Sequence, residues 1–275
     1  MSSIADKYRR EIRRNIPIEY CGLMFYPLTV ENYALFSNAR PAFELMQASL
    51  SPKLARLSWF GCLDAMDREI DEHGNGFLRM TLLVIAEALR LKTVVNQRTK
   101  KETYPIHDMR NQTGELKAIM IGDPQNPILL NMQNMDDIRQ IIAAQNCYEI
   151  PNENWNPDLV RATQYTASLK DNGVVFDLDT LVASVANGAG VKTDEVWDWP
   201  IKEFIQRQAA IDRRLHYEIF TQASMSGFVT FKHGNPYPTW KLDKKSDLPG
   251  DFVSTAELDA GSKGLLGTPT QQFAD

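Results

Sequence analysis

The stretch "GVKTDEVWDWPIKEFIQRQAAIDRRLHYEIF", from Gly190 to Phe220, decides how the C-terminal part of this chain folds. After a glycine turn, its apolar side chains recur at helical spacings, which favours one stripe along a helix of about six turns. The stripe consists of Trp197, Ile201, Phe204, Ile205, Ile211, Leu215 and Ile219. Asp198 is placed to cap this helix, and Pro200 is tolerated in a first turn. We therefore predict a long helix with one apolar face.

The stretch preceding this long helix predicts a second helix that packs against it. Residues Leu178 to Ala189 are apolar enough to cover the stripe, and either Asp177 or Asp179 can cap their first turn. This helix is expected to end at Gly188 or Gly190, because glycine commonly terminates helices. Two helices joined by a turn are typical of a helix-turn-helix, whose second helix reads DNA.

The charge of this region disfavours DNA as the ligand. Four basic side chains lie off the apolar stripe: Lys202, Arg207, Arg213 and Arg214. Between Asp171 and Gly227, however, the five Lys and Arg are outnumbered by nine Asp and Glu, so the segment carries a net charge of −4. Attraction to phosphates supplies most nonspecific DNA affinity, and an acidic segment lacks it. We predict that Lys202, Arg207 and Arg214 contact another protein; a packing helix with a solvated outer face is the alternative.

Upstream, the sequence predicts a small antiparallel meander. The runs "ETYPIHDM", "GELKAIMIG" and "NPILLNM" are short and apolar, and the turn-rich stretches "RNQTG" and "GDPQN" separate them. A sheet this small needs a helix to lean on, and "MDDIRQIIAAQNC" supplies one. Asp136 and Asp137 are expected in its first turn, where negative charge complements the helix dipole. The fold class predicted for the whole chain is α+β, mainly α-helical with this small meander.

Three further segments of the N-terminal part show local signals. The most apolar run, Phe77 to Leu91, contains charged residues and is shorter than the roughly 20 residues of a membrane span, so we predict a core helix. Residues Ile16 to Leu28 are rich in aromatic and β-branched side chains, which predicts a strand or extended segment. Pro41 is expected to open a helix, because proline is favoured in a first helical turn.

Composition divides the chain into two folded regions and a tail. Residues 1–150 are predicted as a helical domain with the small sheet, and a linker follows at about 150–157, within the Pro- and Asn-rich run "YEIPNENWNPDL". Residues 158–245 are predicted as a smaller helical region that ends in a short β and proline-rich segment. Residues 246–275 are predicted to be disordered, since they hold too little apolar surface to offset the entropy of ordering.

The sequence contains no recognisable catalytic signature. The three cysteines, Cys21, Cys62 and Cys147, are far apart, which favours reduced thiols over a disulfide framework. The four histidines show no spacing typical of metal ligands. The run "HGNG" at His73 to Gly76 has the glycines of a phosphate loop, but no lysine follows, so a plain helix break is favoured. We therefore predict a protein that is not an enzyme and binds neither a cofactor nor a metal.

The order "DLDTLVASVANGAGV…EVWDWPIKEFIQR" resembles the C-terminal part of proteins encoded in the tail-assembly region of bacteriophages and prophages of Gram-positive bacteria. In those proteins a helix, a Val–Ala–glycine break and a helix with the pattern "ev..w...eF" recur. The run "PIEYCGLMFYPLTVENYALF" looks like the opening of their long variants, and "IRQIIAAQNCYEIPNENWNP" is similar to their middle. The resemblance is one of pattern and order over most of the first 240 residues.

The resemblance implies a tail assembly chaperone, which binds the tail tube or tape measure protein before polymerisation and hydrolyses nothing. A phage structural protein is then the expected partner, with no nucleic acid and no membrane, and the host cytoplasm is the expected location. Two alternatives remain open: a structural component of the tail or neck of the virion, and a cytoplasmic helix-turn-helix regulator that binds DNA. The sequence leaves the oligomeric state open.

Overall fold

The fold is mainly α-helical with small antiparallel sheets, as the sequence predicts. A computed structural model describes residues 4–69, 76–95, 100, 102–122, 127–152, 156 and 177–226. In chain order its helices are α1 (Ile4–Lys7), α2 (Arg9–Arg13), α3 (Tyr33–Phe43), α4 (Trp59–Glu69), α5 (Phe77–Ala88), α6 (Met132–Asn146), α7 (Leu178–Ala189), α8 (Thr193–Trp197) and α9 (Ile201–Met225). Its strands are β1 (Ile18–Tyr20), β2 (Leu23–Phe25), β3 (Val94–Val95), β4 (Glu102–Thr103), β5 (Ile106–Arg110), β6 (Leu116–Ile121) and β7 (Ile128–Asn131).

The predicted meander is confirmed as the sheet β5–β6–β7. Both pairs are antiparallel, with Ile106 opposite Ile121 and Ile119 opposite Leu130. Ile119, Ile121 and Leu130 are buried in the main core, which also contains the buried residues of α3 to α6. The sheet leans on α6, the helix that follows it directly, because a three-stranded sheet of this size cannot bury enough surface alone.

Helix α6 begins earlier than predicted. Asn131, the last residue of β7, accepts a hydrogen bond from the backbone N–H of Asn134, whose side chain in turn accepts from the N–H of Asn131. This reciprocal cap places the helix start at Met132, so Asp136 and Asp137 lie in the second turn and their expected placement in the first turn is wrong. The asparagine cap decides the start because it satisfies two backbone donors at once.

Two N-terminal segments differ in detail from the sequence expectation. Residues Ile16 to Leu28 form a hairpin, β1–β2, since Cys21 and Gly22 have φ angles of +52° and +73°, as a two-residue turn between antiparallel strands requires. Pro41 does not open a helix but lies in the last turn of α3. A proline there removes only one backbone hydrogen bond near the helix end, where the buried Ala42 and Phe43 still favour the helical path.

A short extended stretch, Phe25–Val30, joins the helices of the main core, and we call it the junction segment. The N–H of Tyr26 donates to the carbonyl of Ala88 at the end of α5 (2.7 Å). Two side chains of α6 reach the same stretch: Gln145 donates to the carbonyl of Phe25 (3.1 Å), and Asn146 accepts from the N–H of Leu28 (2.8 Å). Buried backbone groups need such partners, so these bonds satisfy the segment without a sheet.

The junction segment also holds the C-terminal helices. The N–H of Val30 donates to the carbonyl of Trp199, and the N–H of Ile201 donates to the carbonyl of Leu28, both at 2.9 Å. This antiparallel bridge places α9 against the N-terminal part of the chain. Val30 is then buried in a second apolar cluster together with Phe204 of α9 and the α7 and α8 residues Val182, Val185, Ala186 and Val196.

Within the C-terminal unit, one cap is confirmed and one is wrong. Asp177 caps α7 by accepting from the N–H of Thr180, and the helix ends at Ala189 with Gly190 in the left-handed conformation (φ +71°). Asp198 does not cap the long helix, because the short helix α8 ends directly before it. Pro200 is the residue preceding α9, and its extended backbone (φ −55°, ψ 136°) lets it pair with Thr29.

Several expectations fall outside the described residues. They concern most of the linker, the part of the smaller helical region that precedes residue 177, the β and proline-rich segment expected at its end, and the tail 246–275. All three cysteines lie within the described part of the chain, and none of them forms a disulfide.

We expect Phe204→Ala to lower the free energy of unfolding by about 3–5 kcal/mol. Phe204 is fully buried and meets the ring of Tyr33 edge-on, with the ring centres 6.3 Å apart. Truncation therefore leaves a cavity between α9 and the junction segment. Denaturant unfolding measures the change, and Met225→Ala on the same helix is the control, since Met225 is 83 % exposed. Equal stability of the two variants would contradict the assignment of Phe204 to the core.

Candidate functional site

The long helix α9 changes character along its length. Its first turn is buried, with Ile201 and Phe204 at 0 % exposure, and Ile211 is half-buried against α7. Beyond that point the same apolar stripe is open, because Leu215 is 50 % and Ile219 is 60 % exposed. The stripe predicted from the sequence is therefore one continuous face that the core covers only in its first half.

The structure separates Lys202 from the two arginines. The ammonium group of Lys202 donates to the carbonyl of Ile12 near the end of α2 (3.1 Å) and to that of Ala144 in the last turn of α6 (3.4 Å). Carbonyls at helix ends have no partner within the helix, and the helix dipole attracts a cation there. Burial and the nearby charge of Arg13 lower the pKa of Lys202, while Cys147 acts in the opposite direction. Its position is that of a structural cap inside the fold.

Arg207 lies on the outer side of α9, where two neighbouring side chains hold its guanidinium group. Its guanidinium pairs with Glu203, one turn earlier (2.7 Å), and stacks over the ring of Trp199 at 4.2 Å from the ring centre. Stacking on tryptophan restricts the side chain, so its planar face and remaining donors are held in one orientation. The side chain is still 45 % exposed, which leaves it accessible to a partner.

Arg214 lies on the same flank of α9, about 10 Å further along the axis at 1.5 Å per residue. It pairs with Glu218, one turn later (2.8 Å), and its side chain is 69 % exposed. The four side chains Glu203, Arg207, Arg214 and Glu218 thus form one charged flank beside the open apolar stripe. Exposed pairs of this kind contribute little stability, typically below about 1 kcal/mol, so they can exchange partners easily.

A groove runs between α7 and α9 along the other side of the stripe. Its volume is about 320 Å³, and Leu181 and Val185 of α7 line it together with Ile211 and Leu215 of α9. Gly188 lies where the two helices come closest, since a side chain there would meet Ile211 at 2.8 Å. Two helices, rather than one, therefore contribute to the apolar surface beside the charged flank.

Elsewhere in the fold, a buried carboxylate lies beside a cavity of about 470 Å³ between α4 and β6. Asp64 is 4 % exposed and binds Arg110 through both carboxyl oxygens, at 2.7 and 3.1 Å, and it also pairs with Arg68. Both arginines also donate to the carbonyl of Gly114 in the β5–β6 turn. This cluster holds the meander to α4. Both carboxyl oxygens accept hydrogen bonds from arginines of the same chain, so Asp64 has a structural role in this cluster.

Charge and burial act in opposite directions on the Asp64 carboxyl. Burial by itself would raise its pKa, but the hydrogen bonds and positive charges of Arg110 and Arg68 outweigh burial and hold the pKa below its usual value. Asp64 is therefore ionised throughout the neutral range, where it acts as a structural anion.

Of the glycine-rich run before α5, only Gly76 lies within the described residues, and the first two N–H groups of α5 are already bound. The N–H groups of Phe77 and Leu78 both donate to the carboxylate of Asp67, each at 2.9 Å. A carboxylate of the chain itself thus occupies the position that an anion would take at a helix N-terminus. Among the described residues, no group of three or more His, Cys, Asp and Glu side chains could hold a metal ion.

Comparison of the chain with family models, with curated proteins and with solved structures gives no match. Over the part of the chain that the structure describes, no helix has the length and apolar character needed to cross a membrane.

Sequence reasoning identified the charged flank through Arg207 and Arg214 but missed two features. It placed Lys202 on the outer face, because the helical spacing of residues within α9 does not show that Ile12 and Ala144 pack next to this side chain. It also missed that Leu215 and Ile219 are open. The difference in helix length could have indicated this exposure. Helix α7 has 12 residues and α9 has 25, so α7 cannot cover the whole stripe.

We expect Lys202→Met to lower the free energy of unfolding by about 1–3 kcal/mol, because two helix-end carbonyls lose a charged donor. Chemical denaturation measures this loss. The matched control is Lys192→Met at an exposed position, with an expected change within about 0.5 kcal/mol. A Lys202 variant as stable as the control would show that the ammonium is not a structural cap.

We expect Asp64→Asn to cost about 1–3 kcal/mol at neutral pH, and the cost to shrink in acid. The folded pKa is below the unfolded value of about 4, so the carboxylate stabilises the fold above that pH. This contribution is lost as the pH falls through the folded pKa. Urea unfolding at about pH 7 and about pH 3 tests the difference, with exposed Glu31→Gln as control. An equal cost at both pH values would point to altered packing instead of charge.

Proposed function

We propose that the chain is a non-enzymatic tail assembly factor of a bacteriophage or prophage that binds the tail tube or tape measure protein in the host cytoplasm. Two lines support the proposal. One of the three stretches that carry the resemblance to tail-assembly proteins folds into α7, α8 and α9. The same segment presents an apolar stripe beside a charged flank, which is the arrangement of a surface that binds protein.

The observation that carries the proposal is the open second half of α9. Leu215 and Ile219 are large apolar side chains at 50 % and 60 % exposure, and Arg214 and Glu218 flank them. Exposed apolar side chains rimmed by polar groups are typical of interaction sites. Arginine adds a planar fork that pairs with a carboxylate of a partner in two hydrogen bonds.

The alternative of a DNA-binding regulator is disfavoured by the start of α9. In a helix-turn-helix, the first residues of the second helix contact the base edges in the major groove. Here Ile201 and Phe204 are fully buried, and the N–H of Ile201 already donates to Leu28. The two arginines that lie further along have acidic neighbours one turn away, so their positive field is weakened.

We expect Arg207→Glu combined with Arg214→Glu to weaken capture of the tail tube or tape measure protein, with helicity unchanged. Each reversal replaces a donor fork by a carboxylate, which repels acidic groups on a partner. Pull-down with the co-expressed phage proteins measures binding, and circular dichroism measures helicity. The control is Arg56→Glu with Lys192→Glu, two exposed positions outside α9 that give the same change in net charge.

Capture at wild-type strength by the double variant would reject this flank as the binding site. Presence of the chain in purified virions would instead support a structural tail or neck component. Tight binding of the wild type to duplex DNA with a steep salt dependence, abolished in the double variant, would restore the helix-turn-helix interpretation.

A further inference from the structure

The cavity between α4 and β6 has an apolar inner side. Its volume of about 470 Å³ lies in the range of about 300–1,000 Å³ that is typical of small-molecule sites. Leu54 and Leu116 are buried in its lining, and Met132, the first residue of α6, is half-buried beside them. On the side of α4 the lining residues Gly61 and Ala65 are small, so they leave the space between helix and sheet unfilled. The cavity can therefore bury an apolar group of a ligand.

The exposed part of the same lining is rich in positively charged donors. Lys53, Arg68 and Lys117 are exposed there. Within the described residues, Arg68 donates to Asp64 and to the carbonyl of Gly114 through Nη2 alone. The N–H groups on Nε and Nη1 are therefore left to donate to a ligand.

The acceptors of the lining are already bound by groups of the chain. Asp64 accepts from two arginines, and Glu115 pairs with Lys117 at 3.3 Å. The Ser58 hydroxyl oxygen accepts from the N–H of Gly61 (3.2 Å), which leaves its O–H as a donor. The cavity thus offers donors to a ligand, and its lining has three basic and two acidic side chains on a chain whose net charge is −5.

We propose that this cavity binds an aliphatic carboxylate of small size. The apolar chain lies between α4 and β6, and the carboxylate accepts hydrogen bonds from Arg68 and Ser58 near the two exposed lysines. Hydrogen bonds between an ionised donor and an ionised acceptor are about twice as strong as neutral ones, so a charged head is favoured over a neutral one. The small positive excess of the lining suits a single negative charge better than the nearly double charge of a phosphate group.

The existing ion pair at the edge of the cavity does not oppose this binding. The side chains of Lys117 and Glu115 are 60 % and 64 % exposed. Exposed pairs of this type contribute below about 1 kcal/mol, so Lys117 can turn towards a bound carboxylate at little cost.

The inference goes beyond the proposed function. The residues that line the cavity lie in or beside α4, β6 and the start of α6, and none of them belongs to α7, α8 or α9. The cavity therefore concerns a small ligand of the chain itself and does not depend on which protein the long helix contacts.

The test uses the purified full chain with isotope-labelled methionine methyl groups, and sodium octanoate as the ligand. Met132 lines the cavity, whereas Met24 and Met225 are exposed elsewhere, at 41 % and 83 %. We expect octanoate to shift the Met132 methyl signal in nuclear magnetic resonance spectra, with saturation at a Kd on the order of 1 mM or below. The signals of Met24 and Met225 should stay in place. Single Met→Leu variants assign the three signals.

Octanamide separates recognition of the head group from burial of the chain. It has the same aliphatic chain without a charge. We expect it to bind at least about tenfold more weakly than octanoate, because the charged donors lose an ionised acceptor.

Two variants test the two parts of the cavity. Ala65→Leu fills the apolar part and should weaken octanoate binding at least about tenfold, whereas Ala183→Leu, the same change at an exposed position of α7, should not.

Lys53→Gln with Lys117→Gln removes two charges at the edge and should weaken octanoate binding about threefold or more. Arg56→Gln with Lys192→Gln gives the same change in net charge at exposed positions outside the lining, and it should bind like the wild type. Circular dichroism checks that each variant keeps its helicity.

Several outcomes would overturn the inference. Equal shifts of all three methionine signals, or shifts without saturation, would show adsorption to the surface only. Octanamide that binds as tightly as octanoate would exclude recognition of the carboxylate. A folded Ala65→Leu variant that binds octanoate like the wild type would exclude the cavity as the site.

The remaining comparisons identify the source of the carboxylate and separate this inference from the proposed function. A short peptide that ends in leucine with a free carboxylate, and that shifts Met132 at lower concentration than octanoate, would assign the cavity to a protein C-terminus and overturn the small ligand. The variant Arg207→Glu with Arg214→Glu should bind octanoate like the wild type. Failure of the chain to capture a tail protein, with octanoate binding intact, would count against the proposed function alone.

Discussion

The fold depends on the pairing of the junction segment with the residues that precede α9. Two backbone hydrogen bonds of 2.9 Å connect Val30 with Trp199 and Ile201 with Leu28. On its other side, the same segment is bound by α5 and by two amide side chains of α6. Because the two bonds to Trp199 and Ile201 join residues more than 100 positions apart, they set the place of α9 relative to the rest of the described fold. A polar backbone that is buried without a sheet needs all of these partners.

The position of α9 explains why one part of this helix lies in the core and another part lies on the surface. Its first turn fills the space between Val30 and α7, and the partly buried ammonium of Lys202 donates to carbonyls near the ends of α2 and α6. Beyond Ile211 the apolar stripe continues past its neighbours, and two apolar side chains remain open beside two ion pairs. A surface of this composition binds protein more readily than it binds a phosphate backbone, because its positive charges are matched by acidic neighbours.

The remaining polar clusters hold the fold together. Asp64 connects α4 to the meander through two arginines, and Asp67 caps α5 in the place of an anion. Each of these carboxylates has its oxygens occupied by donors of the same chain. On α9, by contrast, the apolar side chains of Leu215 and Ile219 are open beside the exposed side chains of Arg214 and Glu218.

The sequence by itself determined the long helix α9, the helix α7 before it, the meander and the flank with Arg207 and Arg214, since each follows from local periods and turns. It left the cap of α7 open between Asp177 and Asp179. It could not show the position of Lys202, because two carbonyls distant in sequence bind its ammonium group. It also could not show that α6 begins at Met132, because a competing asparagine cap sets that start. Only the tertiary structure determined that the stripe of α9 is buried up to Ile211 and open at Leu215 and Ile219. A helical period gives the direction in which a side chain points, whereas its exposure depends on where the neighbouring helix ends.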